Sequence, residues 1–460
     1  MTSLADQWTN QLAGRREDGS GEPAWLGDVR RSGAEAFKRY GLPHRKVEDW
    51  KYTSLKLLEA RSHALFEDAG AERPSSEVQW PEVLLSEDCA VVRMLNGSPQ
   101  PGFDADGPID IVPLAQALAG EDRSPWLREV LQSLAIDHPA RAFSALNTSM
   151  LGEGLVIDVP ADSDGGTLML QWSFDDKPPA MLFNARVVIR LAKGASLTLV
   201  EHFESLAAHS HGLNLVSQIQ VGEGARLNHL RLQQEADGAA LILRTECQVL
   251  KDGYYASHAF DWGGGLVRHD TRPSLLQPGA EAEVNGAFVL DGSRHLDHHV
   301  FVDHAAGPSR SSQFFRGVLG GHSRGVFNGK ARIQQGADGS TVRQSNANLL
   351  LSAMAEIDTK PELEIYADEV EASHGATVGQ LDEDAVFYMR TRGLSDEQAR
   401  AMLTSAFCKA VLERITDLPV SLGKEIADRM EKALGTLVEA TLPPRPDAES
   451  RRGAAPTSTK

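Results

Sequence analysis

ARVVIRLAKGASLTLVEHF, residues 185–203, consists of two short alternating runs joined by a Lys-Gly-Ala turn. Each run is too brief for a stable helix and rich in branched aliphatic residues, the pattern of a half-buried strand. The same texture continues on both sides, in GLVIDV, TLMLQWSF, NLVSQIQV, RLNHLRLQ and ALILRTECQVL. The turns recur as well. KGA at 193–195 is followed by EGA at 223–225, KDG at 251–253 and PGA at 278–280, a spacing of about 26 to 30 residues. A unit of that length cannot bury its own apolar face, whereas stacked units can, so the period predicts a β-solenoid rather than a sandwich.

Outside this region the periodicity becomes helical. In AWLGDVRRSGAEAFKRYGLP, Trp25, Val29, Ala36, Phe37 and Tyr40 fall near one face, and Gly41 with Pro43 supplies a stop. SPWLREVLQSLA at 124–135 also reads as helix. After the β texture ends near Asp382, DEDAVFYMRTRGL predicts a helix stopped by Gly393. SDEQARAMLTSAFCKAVLERI then starts on a capping box, Ser395 with Gln398. Its apolar positions 399, 402, 403, 406, 407, 410 and 411 form a stripe. SLGKEIADRMEKALGTL repeats the pattern through Leu422, Ile426, Met430 and Leu434. The expected organisation is a mostly helical region at 1–140, a β-helix core at 141–381, a C-terminal helical domain at 382–442 and a disordered polar tail at 443–460.

The chain of 460 residues carries a net charge of −18 with no long basic run. Such a field repels phosphate backbones and anionic lipid, which excludes nucleic acid and membrane surfaces as expected partners. It also disfavours a β-solenoid enzyme acting on acidic polysaccharide. Cys89, Cys247 and Cys408 lie far apart with no CxxC pair, so local cysteine spacing builds neither a disulfide framework nor a zinc site. No apolar signal core or membrane-length run is present, and the expected location is the cytoplasm. There is no GxSxG elbow and no GK[ST] phosphate loop. The expectation is a protein that is not an enzyme.

Two histidine-bearing stretches remain. RHLDHHVFVDHAAG, at 294–307, places His298 and His299 on opposite faces of a strand, while His298 and His304 share a face about 20 Å apart. One ion cannot bridge that distance, and a metal site here would need ligands from neighbouring rungs. We read Val300 and Val302 as the core face and these histidines as satisfied by local hydrogen bonds. EASHGATVGQ, at 371–380, places His374 on one face with Ala372, Ala376 and Val378, and Ser373, Gly375 and Thr377 on the other. Small neighbours let another backbone approach. The residues alone leave open whether His374 is an accessible ligand or a buried histidine donating to a carbonyl.

Several blocks carry a resemblance. PHRKVEDWKYTSL, AFSALNTSM, HLDHHVFVDHAAGPSRSSQFFRGVL, GVFNGKARI, QSNANLLLSAMAEIDTKPELEIYADEV and SHGATVGQLDEDAVFYMRTRGL span nearly the whole chain. In this order they resemble the SufB/SufD family of scaffold subunits in Suf iron–sulfur cluster assembly. The early EDWKYT favours the SufD branch over SufB. The resemblance implies a right-handed parallel β-helix between N-terminal and C-terminal helical regions. It implies pairing with a SufB-like paralogue through the β-helix, or a homodimer without that paralogue, and pairing with a SufC-like ATPase through the C-terminal helices. An iron–sulfur cluster is expected transiently at the partner interface, none stably on the chain alone, with FAD as a further cofactor in the complex. His374 matches the family's interface histidine, and His304 stands as a second metal candidate. Thr377, Phe407 and Val411 are the other expected partner contacts. Family members often carry cysteine where this chain has Ala372, so a thiolate from this position is not available. An independent iron- or flavin-binding protein is the competing reading.

Overall fold

The computed structural model describes residues 3–14, 23–61, 63–66, 80, 84, 89–102, 108–119, 125–174, 180–205, 210–415 and 418–442. The tail expected to be disordered, 443–460, lies outside the described residues. Among them, two ten-stranded sheets run side by side, and successive strands from Gly154 to Gly379 alternate between them. Sheet neighbours among these successive strands are parallel and one coil apart. Ala240 pairs with Leu266 in this way, and Arg324 with Glu356. The core is therefore a parallel β-helix.

The repeated turns stack along one corner. Gly194 N–H donates to Glu223 O (2.9 Å), Gly224 N–H to Lys251 O (2.9 Å), Asp252 N–H to Pro278 O (3.2 Å) and Gly279 N–H to Pro308 O (2.7 Å). Gly194, Gly224 and Gly279 have φ between 66 and 78°. In KDG the left-handed residue is Asp252 (φ 54°) and not the glycine, a conformation that aspartate tolerates through its short polar side chain.

Side chains from both sheets fill the lumen, with Leu155, Leu199, Leu241, Val267, Phe288 and Phe327 in one continuous core. The outer faces are covered too. The helices Leu4–Gly14, Ala24–Tyr40 and Ala142–Ser149 bring Trp8, Phe37 and Phe143 against Leu182, Ile242 and Leu266 of the first sheet. The helices Asp396–Leu412 and Val420–Thr441 bring Cys408, Val411, Ile426 and Met430 against Val200, Leu230, Phe260 and Val318 of the second. These strands, expected to be half-buried from their alternation, are instead buried on both faces where helices cover them. Each enclosed apolar side chain of the last helix contributes about 1.5–3 kcal/mol of transfer free energy.

The expected boundary at 141 cuts through the first coil. Cys89–Leu95 pairs parallel with Asp164–Ser173, and Asp110–Pro113 pairs antiparallel with Gly154–Val159. The AFSALNTSM block fastens its helix to the solenoid. The fully buried Arg186 donates to Asn147 Oδ1 (2.8 Å), Gln218 Oε1 (2.5 Å) and Thr148 Oγ1 (3.1 Å). Asn147 Nδ2 in turn donates to Ala185 O (2.8 Å) and Asn214 O (2.9 Å). Asn147→Ala leaves a buried guanidinium donor and two carbonyls short of a partner, and should cost about 2–4 kcal/mol. The urea midpoint measures this, and an unchanged midpoint would show the network to be dispensable.

Candidate functional site

The β-helix is open at its C-terminal end. The strand Glu371–Gly379 pairs with the strand Thr341–Leu350 on one edge and with no strand among the described residues on the other. All nine of its residues are exposed. Glu371 N–H donates to Ser340 O (3.0 Å). Because backbone groups alternate sides along a strand, Ser373, Gly375, Thr377 and Gly379 also pair inward to the sheet. Ala372, His374, Ala376 and Val378 then direct N–H and C=O to the bare edge. A side chain added at Gly375 would meet nothing within 4 Å.

His374 is thus at the rim and not a buried core histidine. In register it stacks on Gln344, Ala376 on Asn346 and Val378 on Asn348. Those three amides are buried and face the lumen. Gln344 Nε2 donates to Gly329 O (3.1 Å), Asn348 Nδ2 to Asn346 Oδ1 (2.6 Å) and Thr359 Oγ1 to Asn346 Oδ1 (2.8 Å). The floor beneath the rim is therefore polar. Thr377 is exposed, and its carbonyl accepts from Asn348 Nδ2 (3.4 Å).

No thiol of the described residues stands at this end. Cys247 and Cys408 are buried and Cys89 half-buried. Burial pushes the Cys89 thiol up to about 11 and Cys408 up to about 12, and raises Cys247 as well. All three are held in the protonated, poorly ligating form.

The family profile of the SUF system FeS cluster assembly SufBD core domain matches residues 174–407, half of the chain. This chain belongs to the SufBD family. The Escherichia coli K12 iron–sulfur cluster assembly protein SufD is 29% identical over 383 residues, 82% of this chain and 86% of that protein. The SufBD family protein slr0076 of Synechocystis is 27% identical over 410 residues, 86% of this chain and 88% of that protein. The chloroplastic protein ABCI7 of Arabidopsis thaliana is 32% identical over 236 residues, covering 50% of this chain and 49% of its own.

In this SufBD chain the remaining expected site residues are dispersed. His304 is buried between two hydroxyls, with Nδ1 2.9 Å from Ser309 Oγ and Nε2 2.8 Å from Ser311 Oγ, so both ring nitrogens are engaged. The stripe expected on the Asp396–Leu412 helix is divided between covered and open positions. Val411 is 0% exposed and enclosed by the chain's own core, and Phe407 is half-buried beside it. Thr404 and Cys408 share the buried face, the Thr404 hydroxyl being satisfied by Arg400 O (2.9 Å). Met402, by contrast, is 52% exposed, and Phe387 on the helix Glu383–Thr391 is 66% exposed. Met402 belongs to the expected stripe, so that stripe is covered at Val411 and open at Met402.

The EDWKYT block serves the fold. Trp50 stacks on Phe143 (5.5 Å), donates Nε1–H to Ala140 O (3.2 Å) and lies under the Arg268 guanidinium (4.2 Å). Thr53 donates to Asp297, which also pairs with Arg268. A cavity of about 530 Å³ under the Val420–Thr441 helix carries Glu204, Asp291, Glu425 and Asp428 against Arg294, Arg429 and Lys432. That balance does not suit the pyrophosphate of FAD. No helix among the described residues is long and apolar enough to cross a membrane.

Proposed function

We propose that this SufBD chain is a non-catalytic, cytoplasmic scaffold subunit of an iron–sulfur cluster assembly complex. Its bare strand Glu371–Gly379 pairs with a SufB-like paralogue, and its C-terminal helices contact a SufC-like ATPase. Without the paralogue the same edge joins two copies of this chain. The reading rests above all on that exposed edge, which carries an imidazole over a polar floor. An unpaired strand edge is a template for another strand, and backbone hydrogen bonding would add the partner's sheet to this one.

The nascent cluster is the cargo. His374 offers a ring nitrogen, a good donor for iron, and the thiolate comes from the partner because Ala372 supplies none. Gln344, Asn346 and Asn348 line the space behind the imidazole with amide dipoles that tolerate a charged cargo. The exposed Phe387 and Met402 are apolar contacts open to the ATPase.

His374→Ala tests this. Because the side chain is exposed and borders open space, the variant should melt like the wild type and copurify equally with the SufB-like and SufC-like subunits. Iron and acid-labile sulfide in the reconstituted complex should fall severalfold. Equal iron and sulfide in the variant complex would remove His374 from cluster handling.

A further inference from the structure

One buried constellation lies apart from the open end. Asp261 ends the strand Tyr254–Asp261 of the second sheet, while His269 and His298 occupy adjacent strands of the first and are paired in register. All three are buried inside the solenoid, with donor atoms within 4.8 Å of one another. His269 Nε2 lies 2.9 Å from Asp261 Oδ1, and His298 Nε2 lies 3.2 Å from Asp261 Oδ2. The two imidazoles are stacked, with centroids 4.8 Å apart and planes within 11°. Phe288 and Phe315 flank His298, and Phe327 follows it in register, which encloses the group in apolar walls.

Other buried carboxylates of the core meet guanidinium groups or keep their proton. Glu201 meets Arg231, Asp297 meets Arg268, and Asp270 meets Arg244 and Arg141. Glu235 is instead raised by burial to about 7. Asp261 meets only the two imidazoles among the described residues. A buried carboxylate without a cation is costly. Moreover, His298 Nε2 and Asp261 Oδ2 make no hydrogen bond despite their proximity. This nitrogen and this oxygen are both fully buried, 3.2 Å apart. A dication among the three donors satisfies both and supplies the missing charge.

We propose that Asp261, His269 and His298 form an internal binding site for one divalent transition-metal ion, distinct from the His374 rim. Two imidazoles and one carboxylate are the donor set of zinc and ferrous ions, too nitrogen-rich for calcium or magnesium and without the thiolate that copper(I) favours. Metal–nitrogen bonds of about 2.1 Å in a tetrahedral arrangement put donors about 3.4 Å apart. The two carboxylate–imidazole separations, one to each Asp261 oxygen, are close to that value, and all donor atoms lie within 4.8 Å. The Phe315–Phe327 contact (4.7 Å) lies between this group and the open end, so the ion is resident and structural rather than cargo in transit. It stitches the two sheets together midway along the core.

The test uses the full chain, refolded with CoCl₂ or ZnCl₂ and desalted through EDTA, with metal counted by mass spectrometry. About one equivalent should remain in the wild type and in His374→Ala, and His298→Gln and His269→Gln should each retain at least about tenfold less. Co²⁺ should give visible d–d bands of a low-coordinate site, and X-ray absorption on the wild type should resolve imidazole scattering; this reading needs no variant to fold. A wild-type chain that refolds metal-free, or a His298→Gln chain that keeps its full equivalent, overturns the site and leaves a carboxylate–imidazole network. Because His374→Ala is included, loss of the rim reading and loss of this one are separable.

Discussion

Ala376→Pro should leave the isolated chain folded while weakening its association with the SufB-like subunit at least about tenfold. Ala376 directs its backbone to the bare edge, as follows from the Glu371 N–H to Ser340 O bond and the alternation that continues from it. Proline there removes an N–H that no described strand of this chain uses, and edge strands are where proline is tolerated. The lost hydrogen bond is worth about 1 kcal/mol, and the ring obstructs the incoming strand as well. Thr377→Pro is the contrasting variant. It removes an N–H used toward Thr341–Leu350 and should destabilise the chain itself. Titration of the purified subunits against each other reads the first effect and thermal melting the second. Wild-type affinity in Ala376→Pro would mean that the partner does not extend this sheet.

Acidification should destabilise the fold well before the surface carboxylates titrate. Burial depresses His258 to about 3, and His295 and His304 to about 4, from an ordinary value of 6.5. The unfolded chain therefore takes up protons below 6.5 that the native chain refuses until about 4 or lower. The stability these groups contribute is complete above 6.5 and is lost as the pH falls from 6.5 toward those values. At 1.36 kcal/mol per unit, each removes about 2 kcal/mol by pH 5. Glu235 opposes them. Burial raises its carboxyl to about 7, so the native chain holds that proton and gains stability as the pH falls from 7 to 4.5. The three histidines outweigh it, leaving a net loss of about 3 kcal/mol between pH 7 and pH 5. Melting should occur several degrees lower at pH 5 than at pH 7. Glu235→Gln should steepen the dependence and His304→Gln should shallow it. Flat melting over that range would contradict the burial of these imidazoles.

The sequence by itself determined the solenoid, its turn positions and the helical flanks, and left the exposure of His374 open. It could do so because each is a local periodicity: alternation within a strand, a turn every coil, a capping box at Ser395. The Ser395 hydroxyl does accept from Gln398 N–H (3.1 Å), and Gln398 reaches back to Ser395 N–H (2.9 Å). Tertiary structure alone decided which surfaces are covered and which distant residues meet. Val411 lies on a legible stripe, yet whether a partner or the chain's own strands cover that stripe depends on where its helix docks. Likewise Asn147 looked like one residue in a familiar block until Arg186 arrived beside it from another coil. His269 and His298 touch only because the length of one coil sets them in register, and Asp261 joins them from the opposite sheet. Periodicity records which way a side chain points. It carries no information on what the stacking of coils of unequal length brings to face it.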